Sequence, residues 1–254
     1  VRSDLTRRFF EAYHDPAVIV LEGFHPVRHA LRFGARLEIA VTYDRDKLSA
    51  IAARLAPDTI ELIDAVLHVV DRTIFDHLSP RSLSSPLLAI APRPPSELTR
   101  ALVPSGRPLV YLERPRNPGN VGAVIRVAAA ADIAAVVVSG TLDPWSPVVV
   151  RSATGLQFAL DVVSGELPAD LGRPIVALDA DGEPTGLADL SPDSVLAIGG
   201  ERYGLSSHLR AGAQRTIAIP MRDGVSSLNL ATAVSAVLFA WRAVVVERTG
   251  APPW

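Results

Sequence analysis

Short runs of branched apolar residues alternate along this chain with stretches in which apolar positions recur every three or four residues. Up to residue 92 the strand-like runs are VIVLEG (18–23), LEIAVTY (37–43), TIELI (59–63) and PLLAIAP (86–92). The helical stretches between them are HPVRHALRFG (25–34), DKLSAIAARLA (46–56) and VLHVVDRTIFDHL (66–78). Continuous or period-2 apolar runs fit pleated strands, and the longer spacing fits helices with one buried face. The predicted order is β-α-β-α-β-α-β, a small α/β layer domain.

Five prolines and several polar residues then interrupt the periodicity in APRPPSELTRALVPSGRP (91–108), which reads as a linker with a boundary near residue 100. The expected domains are 1–98 and 106–254. In the second, PLVYLE (108–113), IAAVVVS (133–139), PIVALDA (174–180), SVLAIGG (194–200) and RTIAIPM (215–221) are apolar without alternation. Strands of that kind are covered on both faces, so a mostly parallel sheet is expected. LNLATAVSAVLFAWRAVVVE (228–247) closes the pattern as a long apolar helix, either deeply buried or packed on another subunit.

Composition adds that 254 residues, 48% of them hydrophobic and 20% charged, suffice to bury a core. The opening VRSDLTRRFFEAYH is not a basic segment followed by an apolar one, and no run reaches the roughly 18 residues of a spanning helix, so a soluble, cytoplasmic protein without membrane contact is expected. With no cysteine there is neither a disulfide framework nor a thiolate nucleophile, and the six histidines are assigned to no metal. A net charge of -2 argues against a nucleic-acid partner until its distribution is considered. Residues 132–193 carry ten acidic side chains against Arg151 and Arg173, whereas 107–126 carry Arg107, Arg114, Arg116 and Arg126 against Glu113. Lys47 is the only lysine, and the planar arginine fork suits phosphate.

Ligands of open α/β sheets bind beyond the carboxyl ends of strands, which directs attention to the loops after LVYLE, LAIGG and IAIPM. The first, RPRNPGNVGAVIRV (114–127), lacks the third glycine of a dinucleotide fingerprint, since Gly119 and Gly122 stand alone. No P-loop is present, and GLSSH has His208 where a hydrolase elbow needs glycine. Read by itself, NPGN is a tight turn centred on Pro118 and Gly119 with Asn117 capping it. Arg126, in an otherwise apolar helix, calls for a partner because an unpaired buried charge is costly. In the second loop, GGERYGL (199–205), glycines let a ligand approach the backbone beside Glu201. In the third, Ser226, Ser227 and Asn229 are ordinary N-cap residues for the last helix.

Together these loops resemble the three signature motifs of the SpoU (TrmH-type) family of RNA ribose 2'-O-methyltransferases, within the SPOUT superfamily. The first family motif, D-P-x-N-x-G-a-i-x-R, is matched by Asn117, Pro118, Asn120, Gly122, Ala123 and Arg126. G-x-E-x-x-G is matched by Gly199, Glu201 and Gly204. I-P-M followed by S-L-N-V-S-x-A is matched by Ile219, Pro220, Met221, Ser227, Leu228, Asn229 and Ala233, and Met221 is the chain's only methionine. DPWSPVVVRSATG (143–155) is similar to the family segment between the first two motifs, and VLEGFHPVRHAL (20–31) to the opening of a small L30e-like substrate-binding domain. Two positions depart: Asn117 stands where the family usually has aspartate, and Ala231 where many members have serine, with Ser226 or Thr232 as nearby hydroxyls.

The resemblance implies a methyltransferase domain with a deep trefoil knot behind an L30e-like RNA-binding domain. It implies S-adenosylmethionine as cofactor, rRNA or tRNA as partner, no metal, and a homodimer through the C-terminal helix and knot region. Gly199, Gly200, Gly204, Ile219, Met221 and Leu228 would hold the cofactor, with Gly199, Ile219 and Leu228 around the adenine. Arginine does not deprotonate in proteins, so Arg126 is expected to clamp a phosphate and stabilise the developing oxyanion rather than act as a base. Ser227 and Asn229 would orient the ribose hydroxyl, with Asn120 and Glu201 completing the catalytic set. A catalytically silent RNA-binding or ribosome-assembly factor, and a base methyltransferase of the same superfamily, are the alternatives.

Overall fold

The computed structural model describes residues 2–79, 81–184 and 190–249, and its contacts group the chain into two compact units. The first, Val1–Pro95 with Trp145–Ala159, begins with α1 (Arg2–Ala12), β1 (Val18–Glu22), α2 (Phe24–Arg32), β2 (Ile39–Thr42) and α3 (Arg45–Leu55). It continues with α4 (Ile60–Asp64), β3 (Leu67–Val69), α5 (Arg72–Leu78) and β4 (Leu88–Pro92). The second unit, Ser96–Pro144 with Leu160–Trp254, opens with α6 (Leu98–Ala101), β5 (Leu109–Glu113), α7 (Pro118–Ala130) and β6 (Ala135–Val138). The chain then gives α8 (Pro147–Ser152) to the first unit. The second unit resumes with β7 (Asp161–Ser164), β8 (Ile175–Glu183), β9 (Val195–Gly199), α9 (Ser207–Gly212), β10 (Arg215–Ile217) and α10 (Leu230–Thr249).

In the first unit the sheet order is β1-β4-β2-β3, with β4 antiparallel to both neighbours and β2 parallel to β3. One expected strand is wrong: TIELI is helical. Pro57 opens a 3₁₀ turn with its fixed φ, and Thr59 Oγ1 donates to the Ala56 carbonyl at 2.8 Å. The turn runs on into α4, so that Thr59 and Ile63, four residues apart, are buried while Leu62 is exposed. The strand comes later, at Leu67, inside the stretch expected to be one helix.

Residues 145–159, which the sequence places in the second domain, group with the first unit for identifiable reasons. Arg151 Nη1 pairs with Oε2 of the buried Glu22 at 2.7 Å, and His29 Nδ1 lies 2.8 Å from the Thr154 carbonyl. Gly155 sits so close to Pro26 that a Cβ would lie 2.5 Å from its carbonyl oxygen.

The second unit holds a sheet of order β10-β8-β9-β5-β6-β7 in which every described pairing is parallel. This is the parallel α/β sheet that the apolar runs predict, and β5 is buried along its whole length. Two details differ. β7, in the polar-flanked DVVS, was not expected, and β10 ends at Ile217, leaving 219–221 to the following loop. Inside this unit Arg173 is 5% exposed, and its guanidinium donates to the carbonyls of Asp193, Leu102, Val103 and Arg107 at 2.7–3.3 Å, tying three chain segments together.

By length and composition alone α10, over Leu230–Glu247, could cross a membrane. Within the described residues Leu230, Val234, Val237, Leu238 and Trp241 form a buried stripe along it, and the helix packs on α7. Phe239, off that stripe, is 41% exposed.

Candidate active site at the carboxyl edge of the second sheet

Because β5, β9, β8 and β10 run parallel, the loops that follow β5, β9 and β10 leave the same edge, and three segments far apart in sequence meet there. The first leads straight into α7. Asn117 Oδ1 accepts from the backbone N–H groups of Gly119 at 2.8 Å and Asn120 at 3.4 Å, and Pro118 fills the first helical position, where its missing N–H is not needed. The tight turn expected at Pro118 and Gly119 is thus the first turn of the helix itself.

The second loop folds back on itself between Gly200 and Gly204. Gly200 N–H donates to the Glu113 carbonyl at 2.8 Å, and Gly204 N–H to the Gly200 carbonyl at 3.0 Å. No side chain fits at 199, since a Cβ there would lie 1.9 Å from the Gly204 carbonyl carbon, and Gly204 has φ 63°, a left-handed value that glycine adopts without strain.

Glu201, at the tip, reaches back to the first loop. Its Oε1 accepts from Asn120 Nδ2 at 2.7 Å and its Oε2 from the Arg116 N–H at 3.2 Å. Burial acts to raise the Glu201 carboxyl, but the Asn120 amide and backbone donors outweigh it and hold the group below the usual carboxylate range. Asn120 Oδ1 in turn accepts from Asn229 Nδ2 at 3.0 Å. Asn229 Oδ1 caps α10, accepting from Ala231 N–H at 2.9 Å and Thr232 N–H at 3.4 Å. One chain of hydrogen bonds, Glu201 to Asn120 to Asn229, therefore joins all three motifs.

This network borders a cavity of about 440 Å³. Gly199, Gly200, Glu201 and Gly204 line it from the second loop, and Ile219, Met221, Ser227, Leu228 and Asn229 from the third. Asn120 adjoins it through its two partners. A third wall, which no motif in the sequence marks, is formed by Leu178, Asp179 and Ala180 in the middle of β8. Asp179 is fixed there by an ion pair with Arg210 at 2.8 Å and by the Asp181 N–H at 3.1 Å. The pocket size falls in the range of small-molecule sites, and its glycine backbone and apolar side chains suit a neutral heterocycle.

Arg126 does not line this cavity. It is exposed on α7 and forms no ion pair or hydrogen bond among the described residues, so the partner expected for a buried arginine is not needed. Ala231 offers a methyl group in the first turn of α10, and Ser227 is the hydroxyl that reaches the cavity wall.

A model of the SpoU rRNA methylase family matches residues 107–239. A 23S rRNA (uridine(2479)-2'-O)-methyltransferase of Streptomyces viridochromogenes is 33% identical over 182 residues, 66% of this chain and 63% of that protein. Among solved structures, an RNA 2'-O ribose methyltransferase is 26% identical, with TM-score 0.72 over 95% of this chain and 96% of its own. The SpoU methyltransferase AviRb of Streptomyces viridochromogenes, in complex with the cofactor AdoMet, shares the fold with TM-score 0.77 and 23% identity, covering 96% of this chain and 99% of that one.

Proposed function

Because this chain belongs to the SpoU rRNA methylase family, we propose that it transfers a methyl group from S-adenosylmethionine to a ribose 2'-hydroxyl of rRNA or tRNA. The observation that carries the proposal is the Glu201–Asn120–Asn229 chain of hydrogen bonds, which ties the first motif to the two motifs that line the cavity. S-adenosylmethionine, when bound, supplies an electrophilic methyl group. The protein's part is alignment and exclusion of water. Gly199, Ile219 and Leu228 would receive the adenine, and Gly200, Gly204 and Met221 the rest of the cofactor. Ser227 and Asn229 would orient the ribose hydroxyl. Arg126, exposed and without a partner among the described residues, is available for an RNA phosphate and for the charge that develops on the attacking oxygen.

The same reading carries the trefoil knot, an RNA-selecting role for the first unit, a cytoplasmic location and a homodimer in which a second copy covers the exposed side of α10. Incubation with radiolabelled S-adenosylmethionine and separate rRNA and tRNA pools tests the reaction. Label should enter one pool, and the modified nucleotide should resist alkaline cleavage on its 3' side. Cofactor binding without label in either pool would favour the catalytically silent RNA-binding factor, for which the methyl group of Ala231 in place of serine speaks.

A further inference from the structure

A second cavity, of about 170 Å³, shares Gly200 and Gly204 with the first and is walled by Arg114, Arg116, Arg202 and Tyr203. All three arginines are exposed, and none forms an ion pair or a side-chain hydrogen bond among the described residues. The carboxylate in the wall, Glu113, is buried, and its Oε2 is occupied by the Ser206 N–H at 2.7 Å. Three like charges around so small a volume repel one another, and an anion relieves that repulsion.

Two further observations specify the anion. Tyr203 is 72% exposed, and the guanidinium carbons of Arg116 and Arg202 lie 5.7 Å and 5.4 Å from its ring centroid. An aromatic face flanked by cations is a platform for a nucleobase. Arg114 has φ 49°, a left-handed conformation that is strained for a non-glycine residue. The surroundings impose it: the Arg114 N–H donates to Ser139 Oγ at 3.0 Å, and Gly200 lies so close that a Cβ there would be 2.6 Å from the Arg114 carbonyl oxygen. These contacts fix the backbone from which Arg114 joins the cavity wall.

We propose that the second cavity holds a nucleotide of the RNA next to the one being methylated, with its phosphate on Arg114 and Arg116 and its base stacked on Tyr203. This deepens the methyltransferase reading and rests on it, since the two cavities are neighbours across one turn. The bond-making step itself is untouched; the subsite contributes binding and register.

Fluorescence anisotropy with a fluorescein-labelled single-stranded RNA tests it. Tyr203→Ala should weaken binding about tenfold, and Tyr203→Phe should bind as the unaltered protein does. Arg116→Ala should lower the slope of log affinity against log salt by about 0.7. Calorimetry should find S-adenosylmethionine affinity unchanged in each variant, which also reports the fold. Unaltered RNA affinity in Tyr203→Ala, or an equal loss in Tyr203→Phe, overturns the stacking subsite. If the unaltered protein methylates RNA and Tyr203→Ala has the same KM, the subsite falls and the methyltransferase stands. If binding depends on Tyr203 but no methyl group is transferred, Tyr203 remains an RNA-stacking contact while the methyltransferase reading falls, and if the unaltered protein binds no RNA both fall.

Discussion

Asn229 donates its side-chain amide to Asn120 Oδ1 at 3.0 Å across 109 residues of chain, while its own Oδ1 caps α10. Replacing it separates the two tasks. Asn229→Asp keeps the capping oxygen and loses the donor, whereas Asn229→Ala loses both. The alanine variant should cost about 1 kcal/mol more than the aspartate variant in urea unfolding. A double-mutant cycle with Asn120→Ala should give a coupling of at least ~0.5 kcal/mol, and strict additivity would show that the bond contributes nothing.

Glu201 makes the network sensitive to acid. A carboxyl whose folded pKa is lowered adds stability that is complete above its ordinary value, 4.5, and disappears as pH falls through the lower folded value. Glu201→Gln should therefore melt below the unaltered protein at pH 7, and the gap in Tm should close as the pH is lowered toward 3. A gap of the same size at both ends would place the effect elsewhere than in the charge.

Arg126→Ala should abolish methyl transfer and leave cofactor affinity intact. Since the side chain is exposed, unfolding should shift by no more than ~0.5 kcal/mol. Arg126→Lys should not restore activity, because an ammonium cannot replace the planar two-pronged contact with phosphate. Single-turnover assays with saturating RNA would read the difference, and a fully active alanine variant removes Arg126 from the mechanism.

Gly199→Ala should be destabilising by ~1–3 kcal/mol and should lose the cofactor, because its methyl group has to displace the backbone of Gly204. Calorimetry gives the second readout, and retained affinity would mean that the turn can open without harm.

Arg173 concerns stability alone. Arg173→Leu leaves four carbonyl acceptors short of a donor in a buried place, and a loss of about 3 kcal/mol in unfolding free energy is expected. Its pKa is lowered by burial, with Asp193 opposing, but an arginine stays charged throughout the working range, so this loss should be the same at pH 6 and pH 9.

The central strands of the second sheet were legible because they are covered on both faces and carry uninterrupted apolar runs. The peripheral elements were not. β3 has His68 and Val69 exposed, and β7 pairs on one side only, so each needs few apolar residues and leaves a weak pattern. TIELI misled because four of its five residues also suit a strand, while the deciding signal was Pro57 just before them. At the site, residue types could be read from the motif spacing, and nine of the residues expected there line one cavity. The contact between Asn120 and Asn229 could not be read, since nothing local in either segment marks its partner. Nor could the role of β8, whose LDA carries no unusual residue and lines the cavity only because its strand neighbours β9 and β10.

The two cavities are divided by a partition a single backbone thick. Gly200 and Gly204 face both, with no side chain to absorb a displacement. A ligand that shifts the turn from one side moves the wall of the other, so the occupants share one coupling free energy. By linkage that coupling is reciprocal: whatever factor the first ligand imposes on the affinity of the second, the second imposes on the first.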